Sequence, residues 1–370
     1  MGARAQTTDR RARQQDSPRF GAAAPQPSDG VRLRYTSVFM FMQLRLPKRS
    51  VLLLVAVLCL PAQAQRAPVV AWVGDTEVLI GAGGLLARFD LATGEEELLG
   101  ETEATFALSP EGKRLALARG RWIELRSYPG LDLQGRLEPP AGLTVGVLAW
   151  SPEGATLAAG TAEGHILLWA VEGRELWADL AVEPASPVER LVFSADGVRL
   201  LSAFADGRAV LWDIERREAL HRFDLPRTVD GQPDTKTQNV VVDLSPDGRH
   251  VLATQVRESE AADGAGGEAE VLLLDDQGQL RWRRSGYGVE FTRDGAALLA
   301  LVPPFRIAGL YRTSDAEALR VFEPPEEVLV LYLVRQSPDG KFLLGVGEDH
   351  QGQVLVLWDF ATARVLETHR

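Results

Sequence analysis

SPDGKFLLGVGEDHQGQVLVLWDF, residues 337–360, sets a turn signal, an apolar run, a second turn and a longer apolar run ending in Trp358-Asp359 in one order. SADGVRLLSAFADGRAVLWDI, residues 194–214, repeats that order. Working outward, related signals stand at 109 (SPEGKRL), 151 (SPEGATL), 245 (SPDGRHV) and 292 (TRDGAAL), with a degenerate copy, VGDTEVL, at 73. Seven units of about 44 residues fit the period of a propeller blade built from four strands. The expected fold is therefore all-β, a seven-bladed β-propeller of four-stranded antiparallel blades. The expected blades lie near 67–102, 103–140, 143–183, 187–225, 238–285, 286–323 and 327–370.

Each unit reads physically in the same way. An apolar strand enters, Ser-Pro-Asp-Gly turns the chain, and second and third strands follow across a tight turn. Pro fixes φ and Gly accepts a positive one, while Ser or Asp can cap the turn. Third strands such as VLVLW (354–358) and VLLL (271–274) are apolar at every position, as strands covered on both faces must be. Fourth strands such as LRWRR (280–284) mix charge with apolar residues, which suits exposed outer edges. Trp212 and Trp358 are expected to pack between blades.

One position departs from the repeat. Two residues before each Ser or Thr of the turn, the units read Ala71, Ala107, Ala149 and Val192, then Asp243, Glu290 and Arg335. Folding should gather the three charges near the central channel. One Arg against two acids leaves excess negative charge, to be relieved by water, a raised carboxylate pKa or a bound cation.

The SPDG-type turns and the endings Leu211-Trp212-Asp213 and Leu357-Trp358-Asp359, with weaker echoes at Leu168-Trp169-Ala170 and Arg88-Phe89-Asp90, resemble the WD-repeat family of β-propellers. The resemblance spans nearly all of residues 65–370 and is divergent, of a bacterial exported type. The family's Gly-His pair is missing from its usual place in every unit. Gly164-His165 falls in a second-to-third-strand turn instead. The resemblance implies protein partners engaged on the faces of the disc.

The chain starts differently. Residues 42–64, MQLRLPKRSVLLLVAVLCLPAQA, combine a basic start, a ten-residue apolar run and Ala-Gln-Ala, the layout of a secretory signal peptide cut after Ala64. The run is half of what a spanning helix needs, so no integral membrane segment is expected after cleavage and the product should be periplasmic or secreted. Residues 1–41 read as disordered or as lying upstream of a true start at Met42. The single cysteine, Cys59, falls in the apolar run. Residues 1–64 hold 10 of the 40 Lys/Arg and 3 of the 51 Asp/Glu, so without them the net charge moves from −11 to −18. Such a chain repels phosphate backbones, which argues against nucleic acid.

Residue types for catalysis are scattered. The five histidines have no ligand spacing, and no phosphate loop, nucleophile elbow or H-E-x-x-H occurs. No catalytic residue, metal or cofactor is expected, and the expected role is a non-enzymatic interaction platform with an unknown protein partner. The alternative is a propeller enzyme or small-ligand binder, lactonase-like or quinoprotein-like, with its site at the channel mouth. Two insertions, 224–238 and 257–270, belong to neighbouring blades and should emerge on one face of the disc. Candidate partner-binding residues on that face are Asp263, Phe305 as an apolar anchor, Arg306 and His350.

Overall fold

The computed structural model describes residues 69–82, 85–101, 105–224, 228–229, 232–233, 237–257, 268–303 and 305–370. The expected signal segment and Asp263 lie outside them. Seven four-stranded antiparallel sheets, each contiguous in sequence, span residues 69–101, 106–137, 145–181, 188–224, 237–285, 287–322 and 328–369. A small two-stranded piece, Thr228–Val229 with Gln232–Pro233, lies between blades four and five. The fold is the expected seven-bladed propeller.

Seven hydrophobic clusters hold the ring, one at each junction between successive blades. The junction between blades seven and one is among them, where Leu344, Val346, Leu355 and Leu357 meet Val78, Ile80 and Leu91. No strand is shared across it; side-chain packing closes the ring, and the His369 ring lies 5.2 Å from that of Phe89. Because each blade has a neighbour on both sides, the second and third strands are buried at nearly every position, as in Thr156–Thr161 and His165–Ala170. Outer strands such as Leu280–Ser285 are mostly exposed. Trp212 and Trp358 pack between blades three and four and between six and seven.

The turn that defines the repeat is a hydrogen-bonded device. In blade four, the Ser194 hydroxyl donates to Asp196 Oδ1 at 2.6 Å and accepts from Arg199 N at 2.9 Å, while Asp196 Oδ1 accepts from Val198 N at 3.0 Å. Blades five, six and seven repeat this with Ser245, Thr292 and Ser337. The fourth turn residue must take positive φ, between 69° and 74° at Gly112, Gly154, Gly197, Gly248, Gly295 and Gly340, a region where a Cβ is strained. The Asp of the Trp-Asp ending also shapes a turn. Asp213 and Asp359 cap the turn into the outer strand, accepting from Arg216 N at 2.9 Å and Thr362 N at 2.7 Å.

A meander alternates its connections. The Ser turns and the third-to-fourth turns form one face, the turn face, and the blade linkers and second-to-third turns form the other, the loop face. Most strands in blades one to four and six have six residues or fewer, whereas blade five has three strands of eight residues and blade seven strands of nine, eight and eight. The surplus lies at the loop-face ends, where Thr237 pairs with Arg257 and Val328 with Asp349. Blades five and seven therefore stand proud of the disc on either side of blade six.

Candidate functional site

The inner strands run from the loop face to the Ser turns, which puts Asp243, Glu290 and Arg335 in the turn-face half of the channel. Asp243 Oδ2 accepts the backbone N–H of Phe291 at 2.8 Å. One blade further on, Glu290 Oε1 accepts the N–H of Gln336 at 2.6 Å. Each carboxylate thus binds the next inner strand one residue beyond its own repeat position. The other oxygen of Glu290 accepts from Arg335 Nη1 at 2.7 Å, with both side chains largely buried.

A fourth member, Arg190, is absent from the residues expected on sequence grounds. It lies two residues ahead of the surveyed position in blade four, on the same side of its strand by the two-residue period, and its guanidinium reaches the field of Asp243, Glu290, Arg335 and Tyr287. The expected excess of negative charge is therefore corrected: two guanidinium groups face two carboxylates, and the cluster balances without a cation. Val192 stands at the surveyed position and packs on the cluster between blades four and five, so a fixed-column comparison could not find Arg190. The available signal was the Glu189-Arg190 pair, two charges in an inner strand whose other four residues are apolar.

Burial pushes the Asp243 carboxyl up to about 6, with Glu290 adding to the rise while Arg190, the Phe291 N–H and Arg335 oppose it. Burial also lowers Arg190, helped by the neighbouring Arg335 charge. For Arg335, burial works in the same lowering direction but is outweighed by the Glu290 charge and hydrogen bond, so its pKa is raised. Burial raises the Tyr287 phenol as well.

On the loop face, the backbone of Phe305 takes φ 65°. Its N–H donates to Val302 O at 2.6 Å, and its carbonyl accepts from Leu331 N at 2.8 Å. The ring is half-buried against the cluster of blades six and seven. Phe305 is thus a staple between two blades and not the projecting anchor expected, because a large ring beside an apolar seam gains more from burial than from exposure. Arg306 is half-buried and donates to Glu326 O at 3.0 Å. His350 is exposed at the tip of the turn in blade seven, shaped by Asp349 Oδ1 accepting from Gln351 N and Gly352 N at 2.7 and 3.0 Å. The apolar groups that do project are Leu329 and Tyr332 on the inner strand of blade seven, 44% and 47% exposed. A second site unseen in the sequence is Glu124 in blade two, a buried carboxylate accepting from Arg126 at 2.7 Å and Arg136 at 2.9 Å. Burial would raise its pKa, but these two guanidinium groups hold it below its usual value. Among the described residues, no group of three or more His, Cys, Asp or Glu is placed to hold a metal, and no helix is long and apolar enough to cross a membrane.

A sequence profile of the WD40 domain of anaphase-promoting complex subunit 4 matches residues 148–230, which cover blades three and four. Over those blades the chain resembles a WD40 domain, and as a whole it is a β-propeller. Among solved structures, this WD-repeat-like chain is similar to the β-propeller domain of Cps50 (Swd1) from Myceliophteria thermophila. That likeness has 15% identity and a TM-score of 0.56, covering 73% of this chain and 86% of that one. The computationally designed Ika8 protein matches with 16% identity and a TM-score of 0.56, over 81% of this chain and 85% of its own. At such identities the likeness is one of fold. No curated protein matches the chain.

Proposed function

We propose that this WD-repeat-like propeller is an exported, non-enzymatic platform that binds a protein partner on its loop face. WD-repeat propellers commonly serve as platforms for protein partners, which supports the general part of the reading. The observation that carries the specific part is the pair of projecting blades, five and seven, with Leu329 and Tyr332 exposed on the inner strand of blade seven. An aromatic and a leucine held on a rigid sheet have the make-up of interface anchors. The acidic balance of residues 65–370 favours a partner with a basic rim. Export rests on the basic, apolar and Ala-Gln-Ala order of residues 42–64. The periplasm or the exterior is the proposed location.

The test is capture from envelope extract on immobilised protein. A partner should be retained by the wild type and by Leu220→Ala on the outer rim, and lost with Leu329→Asp combined with Tyr332→Ala. Capture that survives the double variant and a deletion of residues 261–267 would place the partner elsewhere.

A further inference from the structure

The channel cluster balances in charge but not in hydrogen bonds. Asp243 and Glu290 each give one oxygen to a backbone N–H of the next blade, and Glu290 gives the other to Arg335. Arg335 uses a single nitrogen in that pair. The side chain of Arg190 makes no hydrogen bond or ion pair among the described residues, and its Nε is buried without a partner. The cluster therefore holds a half-buried guanidinium whose Nε donor is out of water and unspent, set within the field of a second guanidinium.

Such an arrangement is costly as it stands. A buried donor left without an acceptor loses its hydration and gains nothing in return, and two like charges in a poorly solvated channel repel each other. Both costs fall if an anion enters, since a planar oxyanion accepts two parallel N–H bonds from an arginine fork. The charge of that anion is restricted by its surroundings. Asp243 and Glu290 already stand in the cluster, so a dianion would meet more repulsion than a monoanion. A carboxylate meets both conditions.

We propose that the turn-face half of the channel holds a carboxylate, from a small free acid or from the end of a peptide chain, between Arg190 and Arg335. Asp243 and Glu290 fix the surrounding inner strands through their bonds to Phe291 N and Gln336 N, and Tyr287 on blade six stands within the field of Arg190. The site lies toward the turn face, whereas blades five and seven project on the loop face, so it stands or falls independently of partner capture on the loop face.

The test is calorimetric titration and thermal unfolding of the full chain near neutral pH with acetate, tri-alanine, tri-alanine amide and inorganic phosphate at millimolar concentrations. Acetate or tri-alanine should bind and raise Tm, and the amide should do neither. Preference for tri-alanine assigns a chain terminus, and equal response to acetate assigns a free acid. Arg190→Gln should weaken carboxylate binding by about tenfold or more while its circular dichroism stays that of the wild type. Arg190→Lys, which keeps the charge and loses the fork, should also weaken it, and carries the test if the glutamine variant does not fold. Carboxylate binding unchanged in these variants, phosphate bound more tightly than either carboxylate, or no response to any carboxylate would overturn the proposal.

Discussion

Blades one to three and blades five to seven occupy the same repeat position with opposite chemistry. In blades two and three the position is alanine facing alanine across the sheet, Ala107 with Ala116 and Ala149 with Ala158. In blades five to seven it is Asp243, Glu290 and Arg335, each facing a leucine. Both halves are built from the same four-stranded antiparallel blades, and both pack apolar side chains between blades. At this repeat position the polar link between blades two and three is an indole, with Trp150 Nε1 donating to Ala107 O at 3.0 Å. Between five and six and between six and seven it is a carboxylate on a backbone N–H. Half of the ring therefore closes without any channel charge, and the charges of the other half are additional to what the fold requires.

If packing is the common element, removing it should cost both halves alike. Trp169, at the junction of blades two and three, and Trp358, between six and seven, are both buried. Each Trp→Ala change should destabilise by about 3 to 5 kcal/mol in chemical unfolding; a large difference between the two would break the equivalence. The charged half should then show its own cost. Arg335→Ala strands a largely buried Glu290 and should destabilise by about 2 to 4 kcal/mol, and adding Glu290→Gln should restore part of that.

A smaller difference should appear with pH. Asp243 has its pKa raised to about 6 in the folded chain from an ordinary value of 3.8. The folded state therefore holds that proton more tightly, and stability is lost as pH rises from about 4 through 6. Wild type should lose up to about 3 kcal/mol more than Asp243→Asn over that interval, measured as the difference between their unfolding curves. Parallel curves would contradict the burial assigned to Asp243. Least affected by region should be the turn. Ser194→Ala and Ser245→Ala each remove a hydroxyl that caps the turn, and each should cost about 1 kcal/mol.

The elements that repeat were the ones legible in the sequence. The Ser-Pro-Asp-Gly turns, the uniformly apolar third strands and the charged outer strands all answer local physical demands, and local demands leave local patterns. Asp243, Glu290 and Arg335 were visible as departures from the same column. Arg190 was not, because its long side chain starts two residues away and reaches the cluster only once blades four to seven curve round one axis. Phe305 failed in the opposite direction: its loop position suggests exposure, and only the placement of Leu331 and the seam beneath it explains the burial. The projection of blade seven could not be read from the motif, since the eight residues of Phe342–Asp349 and of Gly352–Asp359 simply continue a strand pattern past its usual end.

Coupling of Arg190 to the charges of three other blades is tested most directly by a carbon-detected NMR titration of the Asp243 carboxyl, in the wild type and in Arg190→Gln. The wild-type pKa should be about 6 and that of the variant higher, since the Arg190 charge holds the carboxylate down against burial. A wild-type value at the ordinary 3.8, or one that Arg190→Gln leaves unmoved, would contradict the coupling.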